Sequence, residues 1–101
     1  MKYFILEGRY LFPFETFLKE KIEEHRSFLQ KGYDKGFFLL SGPQTSKTGG
    51  FLVARATSLE ELQQILLEEP FTKAKMMQFV SIKEFNPVQF QPYLKDWATG
   101  L

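Results

Sequence analysis

One histidine stands in the sequence, His25. Imidazole changes charge across the neutral range, so a lone His is the first residue to test for general acid or base chemistry. It lies in a segment where apolar residues recur at helical spacing, the steps from Leu18 to Ile22, His25 and Leu29 being four, three and four. A His on such a stripe is more often a hydrogen-bonded core or boundary residue, and spacing alone does not separate the two roles. The second candidate is Glu68-Glu69-Pro70-Phe71, which closes a later helical segment. A carboxylate at a helix C-terminus opposes the macrodipole, typically by about 0.3–1 kcal/mol. Either both glutamates are solvated, or one turns inward to a cation. Two helices side by side on a sheet would let Glu69 reach His25, and a carboxylate there would orient the imidazole.

Ser41 to Gly50 invites a phosphate-loop reading, and fails it. Ser46 precedes Lys47 where the motif needs Gly, the spacing from Gly42 is one residue short, and the loop leads into a strand rather than a helix. Its plain role is a hairpin connection. Ser41 and Gly42, at a strand end, can still line a cleft, since Gly allows close approach of a ligand. Met76 and Met77 read as core filler, and Lys73 and Lys75 as a solvated face.

The elements that must position these residues follow from periodicity. Residues 2–8 form an apolar, β-prone run closed by Gly8, and Arg9 to Pro13 connect onward. From about Phe14 to Lys31 the pattern turns helical, with Gly32 as the expected stop and Asp34-Lys35-Gly36 continuing the turn. Phe37 to Leu40 and Phe51 to Ala56 are two short strands joined by the Gly-rich loop. Ser58 to Glu61 matches a capping box, and Leu59, Leu62, Ile65 and Leu66 continue as a helix that must end before Pro70. Met77 to Phe85 is a last strand, ended by Asn86-Pro87. The order β-α-β-β-α-β predicts an α+β, ferredoxin-like fold: a four-stranded antiparallel sheet with two helices on one face. Apolar strands suggest that the other face is also covered, which points to a homodimer through the open sheet face. Beyond this domain of residues 1–86, residues 87–101 read as a C-terminal extension. Phe90, Tyr93, Leu94 and Trp97 fall at helical spacing there, with Pro92 in the first turn of a short amphipathic helix.

Composition bounds the chemistry. The chain has 101 residues, enough for one unstapled domain, and aromatics make up 17%, with 12 Phe. Disorder is excluded, since such chains lack the apolar area to offset ordering entropy. No cysteine excludes disulfides, thiolate catalysis and zinc fingers, and one His excludes a His-rich metal site. A net charge of +1 gives no electrostatic footprint for nucleic acid. The apolar run in Met1-Lys2-Tyr3-Phe4-Ile5-Leu6-Glu7 is four residues, too short for a signal-peptide core, and no segment approaches a membrane span. A cytoplasmic protein is expected.

Taken together the motifs resemble a known family. The sequence has a His late in the first helix, Ser41-Gly42-Pro43 at the end of the second strand, Gly50-Phe51 opening the third, the step Glu69-Pro70-Phe71, and a last strand containing Val80-Ser81-Ile82-Lys83-Glu84-Phe85. This pattern, over about residues 2–86, is similar to the YciI-like (YCII-related) family. The resemblance implies a ferredoxin-like fold of the dimeric α/β-barrel type. It also implies a cleft with a His–Asp pair, which by position would be His25 and Glu69, with the Ser-Gly-Pro segment nearby. The sequence departs from the family in carrying Glu, one methylene longer, where Asp usually precedes the proline. Related folds include cofactor-free isomerases, dehalogenating lyases and oxygenases acting on small cyclic compounds.

The expectation is therefore a cofactor-free small-molecule enzyme of isomerase or lyase type. His25 would be the acid or base and Glu69 its orienting partner. Ser41, Gly42, Pro43 and Phe71 would hold the substrate, with no metal. The alternative is a non-catalytic ligand-binding or accessory dimerisation module.

Overall fold

The computed structural model describes residues 1–101. Four strands, β1 (Lys2–Tyr10), β2 (Phe38–Pro43), β3 (Gly49–Ala56) and β4 (Met77–Phe85), form one sheet in the order β2-β3-β1-β4. Every neighbouring pair is antiparallel. Helix α1 (Lys19–Asp34) connects β1 to β2, and α2 (Leu59–Leu66) with the one-turn α3 (Pro70–Lys73) connects β3 to β4. A short α4 (Lys95–Ala98) ends the chain. This is the ferredoxin-like α+β plan. No helix is long and apolar enough to cross a membrane.

Side chains alternate across each strand, so the buried residues Phe4 and Leu6 of β1 and Leu52, Ala54 and Ala56 of β3 share the helix-covered face. Phe38, Leu62 and Leu66 complete this core. A second cluster, Phe17, Phe71 and Met77, fills the other end beneath α3. The opposite sheet face leaves Ile5, Leu40, Phe51, Val80 and Phe85 exposed. Leu40, Val53 and Ile5 lie opposite one another on β2, β3 and β1, a continuous apolar row on that open face.

Two bulges decide which residues face the helices. Phe38 pairs with Ala54 and Leu40 with Val53, so Leu39 is an extra residue in β2. Without it Ser41 would fall on the open face; with it Ser41 lies opposite Leu52, on the helix side. In β4, Phe79 pairs with Gly8 and Ser81 with Glu7, making Val80 the extra residue and keeping Met77 and Phe79 inward alongside Ile82.

Several boundaries differ from the periodic reading. The first helix does not start at Phe14: Phe14–Thr16 is a 3-10 turn, Phe17 and Leu18 are extended, and α1 starts at Lys19. Leu18 is 66% exposed, so the apolar stripe starts at Ile22. Phe14 and Phe17 were freed from the helix to pack on Tyr10, at ring separations of 5.5 and 5.2 Å. Gly32 does not stop the helix. It is buried within α1, where a Cβ would collide with the Phe38 ring, and the chain turns instead at Gly36 with φ +81°. Ser41 to Pro43 continue β2, so the hairpin connection is only residues 44–48. The tail is not one amphipathic helix. Pro92–Leu94 is a 3-10 turn whose first residue is Pro92, and Tyr93 is 82% exposed. The tail docks on its own chain. The Trp97 indole N–H and the Arg55 guanidinium both donate to the Gly36 carbonyl, at 3.0 and 2.8 Å.

Candidate active site

The helical segment that reads as ending in Glu68-Glu69 closes three residues before Glu69. α2 closes at Leu66, and Glu69 is extended, with φ −67° and ψ 121°, the conformation forced on a residue before proline. Pro70 then starts α3 at the position where its missing N–H costs nothing. Glu69 is therefore an N-cap rather than a C-terminal residue, and the expected clash with a macrodipole does not arise. Its Oε1 accepts the Phe71 N–H at 3.0 Å and its Oε2 the Thr72 N–H at 2.7 Å.

α1 brings His25 to the same carboxylate. His25 Nδ1 lies 2.5 Å from Glu69 Oε1. Glu69 is 1% exposed and His25 is partly buried, its side chain 22% exposed. The imidazole lies flat on the Phe71 ring, centroids 4.1 Å apart and planes 8° from parallel. One face of the imidazole is thus covered, and the ring can act only at its edge and open face.

Burial pushes the Glu69 carboxyl up. The hydrogen bonds from His25, Phe71 and Thr72, with the charge on His25, outweigh it, and the group is held below its ordinary 4.5. A carboxylate kept ionised can only accept, so Nδ1 must carry the proton. Nε2 is then the nitrogen that gains and loses one. It has no partner within the chain, and no buried side-chain polar atom is left unpaired, so Nε2 is solvent-accessible, on a side chain that lines the adjoining cavity.

That cavity has a volume of about 270 Å³ and lies between α1, β1, β2, β3 and α3. It contains all six sequence-nominated residues: His25, Glu69, Ser41, Gly42, Pro43 and Phe71. Ser41 lines it from the sheet side, and its hydroxyl is hydrogen-bonded to the Tyr33 hydroxyl of α1. No group of three or more His, Asp or Glu side chains converges as a metal site.

Two further lining residues with polar side chains, Tyr10 and Arg26, are not singled out by the sequence. Tyr10 extends β1 past Gly8 and keeps the inward parity of Phe4 and Leu6. It lines the cavity, and burial, with the nearby Glu69 charge, raises its pKa above 10.0. The phenol therefore stays protonated, a standing O–H donor. Ending the strand at Gly8 hid it; carrying the alternation two residues further finds it. Arg26, next to His25 on α1, also lines the cavity, and nothing in its spacing distinguishes it from the other charges of the helix.

A profile of the family described as YCII-related domain matches residues 8–86. No curated protein matches the chain. Among solved structures it is similar to the 5-chloro-2-hydroxyhydroquinone dehydrochlorinase (TftG) from Burkholderia phenoliruptrix AC1100, solved in complex with 2,5-dihydroxybenzoquinone. The TM-score is 0.53 and the identity 24%, over 90% of this chain and 94% of that one. The likeness is one of fold.

Proposed function

The chain belongs to the YCII-related domain family, and on that premise we propose that it is a small-molecule enzyme needing no cofactor, which moves one proton with His25. The observation that carries the reading is the contact of His25 Nδ1 with a buried, ionised Glu69 while Nε2 is left accessible on a side chain that lines an aromatic-walled cavity. In an elimination, Nε2 takes a proton from an acidic C–H or O–H of the substrate. The electron pair left behind forms the new double bond, and the leaving group departs as an anion with its own bonding pair. In an isomerisation the imidazolium returns the same proton to another atom. Glu69 keeps Nδ1 protonated throughout and offsets the charge that develops on the ring. Ser41 supplies a hydroxyl to a substrate oxygen, and Gly42, Pro43 and Phe71 shape the walls.

The reading includes a homodimer through the open sheet face, supported by the exposed row of Ile5 and Leu40 and the nearby Phe51. It takes residues 1–86 as the working domain and 87–101 as an extension. It also assumes a cytoplasmic setting, which the cysteine-free composition suits.

The fold neighbour is a dehydrochlorinase, so the first substrates to offer are halogenated and hydroxylated rings, beginning with 5-chloro-2-hydroxyhydroquinone. Chloride release and new quinone absorbance are followed for the wild type and His25→Gln. The reading expects release by the wild type and a rate lower by about 10²–10⁴ in the variant. A ring compound that binds and is recovered unchanged favours the ligand-binding module instead. Turnover undiminished in His25→Gln overturns the mechanism.

A further inference from the structure

Arg26 has no task in the proposed chemistry and no partner in the fold. It is an exposed residue of α1 that also lines the cavity, the one lining side chain with a permanent positive charge. α1 is rich in glutamate, yet its neighbours pair elsewhere: Lys21 with Glu24 at 3.1 Å and Lys19 with Glu23 at 4.0 Å. One turn away on either side stand Ile22 and Glu23, and Leu29 and Gln30; Glu23 is the only anion among them and pairs with Lys19 rather than Arg26, and Gln30 donates to Asp34. No carboxylate comes within 4.0 Å of the Arg26 guanidinium.

The rest of the cavity offers Arg26 no anionic partner either. Its single carboxylate, Glu69, has both oxygens occupied, Oε1 by His25 and Phe71 and Oε2 by Thr72. Tyr10 stays neutral. The wall thus presents proton donors and one uncompensated cation to whatever enters. Around them the lining is aromatic, with Phe14, Phe71 and Phe79 beside Tyr10. Flat apolar walls suit a planar ring, and a guanidinium offers two parallel N–H donors to an anionic oxygen.

We propose that Arg26 is the specificity residue of this cavity, selecting planar ring compounds that carry an anionic oxygen and holding that oxygen while His25 acts on the ring. The proposal rests on the reading of the cavity as the substrate site. Charge recognition and proton transfer are then the work of adjacent residues on one helix. Arg26 sets KM and the choice of substrate, and His25 sets kcat.

The test is a binding measurement that needs no turnover. The probe is 2,5-dihydroxybenzoquinone, a ring dianion near neutral pH, set against resorcinol, a neutral dihydroxy ring of the same size. Each is titrated into the full chain while the ring signals of its single His are followed by NMR. The wild type is expected to bind the dianion at least about tenfold more tightly than resorcinol, with the preference falling as salt is raised. Arg26→Gln should abolish the preference and Arg26→Lys retain part of it, since a point charge survives but the fork does not. His25→Gln, followed through the shifts of Ser41 and Phe71 backbone amides, should keep the preference. Equal affinity for the two probes, an unchanged preference in Arg26→Gln, or no perturbation of His25 by the dianion up to about 10 mM would each overturn the proposal. Arg26-dependent binding with no turnover of any ring compound defeats the catalytic reading alone. Turnover with no charge preference defeats this proposal alone.

Discussion

The Glu69 carboxylate both caps α3 and lies 2.5 Å from His25 Nδ1. One side chain fixes the backbone entering α3 and the tautomer of the catalytic candidate. The cap places the carboxylate before any ligand arrives, so in the proposed reaction the imidazole needs no further orienting.

Glu69→Gln should separate the charge of this group from its shape. The amide keeps one acceptor oxygen but loses the charge-assisted bonds, so the variant should be less stable at neutral pH by about 1–3 kcal/mol. The folded carboxyl lies below its ordinary 4.5. Stability from such a group is fully present above the unfolded value and is lost as pH falls through the folded one. Urea denaturation across pH should therefore show a gap between wild type and variant that holds near neutrality and closes as pH drops below 4.5.

At Gly32, an added methyl meets the Phe38 ring. Gly32→Ala gains helix propensity on paper, by about 1 kcal/mol. The collision should outweigh that gain, with a net loss of about 1–3 kcal/mol in thermal or chemical unfolding. A stabilised variant would show that α1 and β2 are less closely packed than the structure has them.

Arg55 pins the tail. Its guanidinium donates to the Gly36 and Trp97 carbonyls at 2.8 Å each and lies 5.2 Å from the centre of the Trp97 ring. Arg55→Ala should release α4, and because Trp97 is the only tryptophan its fluorescence reports the event directly. The expected result is red-shifted emission with a stability loss of about 1–3 kcal/mol. Emission identical to wild type would mean the tail holds without it.

The proposed dimer depends on the apolar row of the open face. Ile5→Lys combined with Leu40→Glu places charges on two exposed positions of that row without touching the cavity. Light scattering should give twice the chain mass for the wild type and the chain mass for the double variant, with near-wild-type circular dichroism. A wild type that stays monomeric at high concentration would remove the dimer from the account.

Much of this fold was legible because apolar spacing reports which face is buried. The strand and helix order and the Ser58 cap bonded to the Glu61 N–H at 3.1 Å followed from pattern, whereas pattern left the nearness of Glu69 to His25 as one of two options and the family resemblance pointed to it. What pattern missed was tertiary. Phe14 and Phe17 fit a helical stripe but gain more by stacking on Tyr10. Gly32 reads as punctuation, and only the ring of Phe38 shows that it is a packing residue. The bulges at Leu39 and Val80 leave no local signature, since they are defined by the partner strand, yet the first of them puts Ser41 in the cavity. Glu69 read as the poor end of one helix because the start of a four-residue helix is invisible to a period of 3.6.

In the proposed mechanism Glu69 holds the proton on Nδ1 and leaves Nε2 to do the chemistry. Long-range ¹H–¹⁵N correlation of the His25 ring at alkaline pH, where an imidazole is neutral, reads the tautomer directly, and a single His needs no further assignment. The Nδ1–H form is expected in the wild type, with the ordinary mixture returning in Glu69→Gln. A wild-type ring carrying its proton on Nε2 would contradict it.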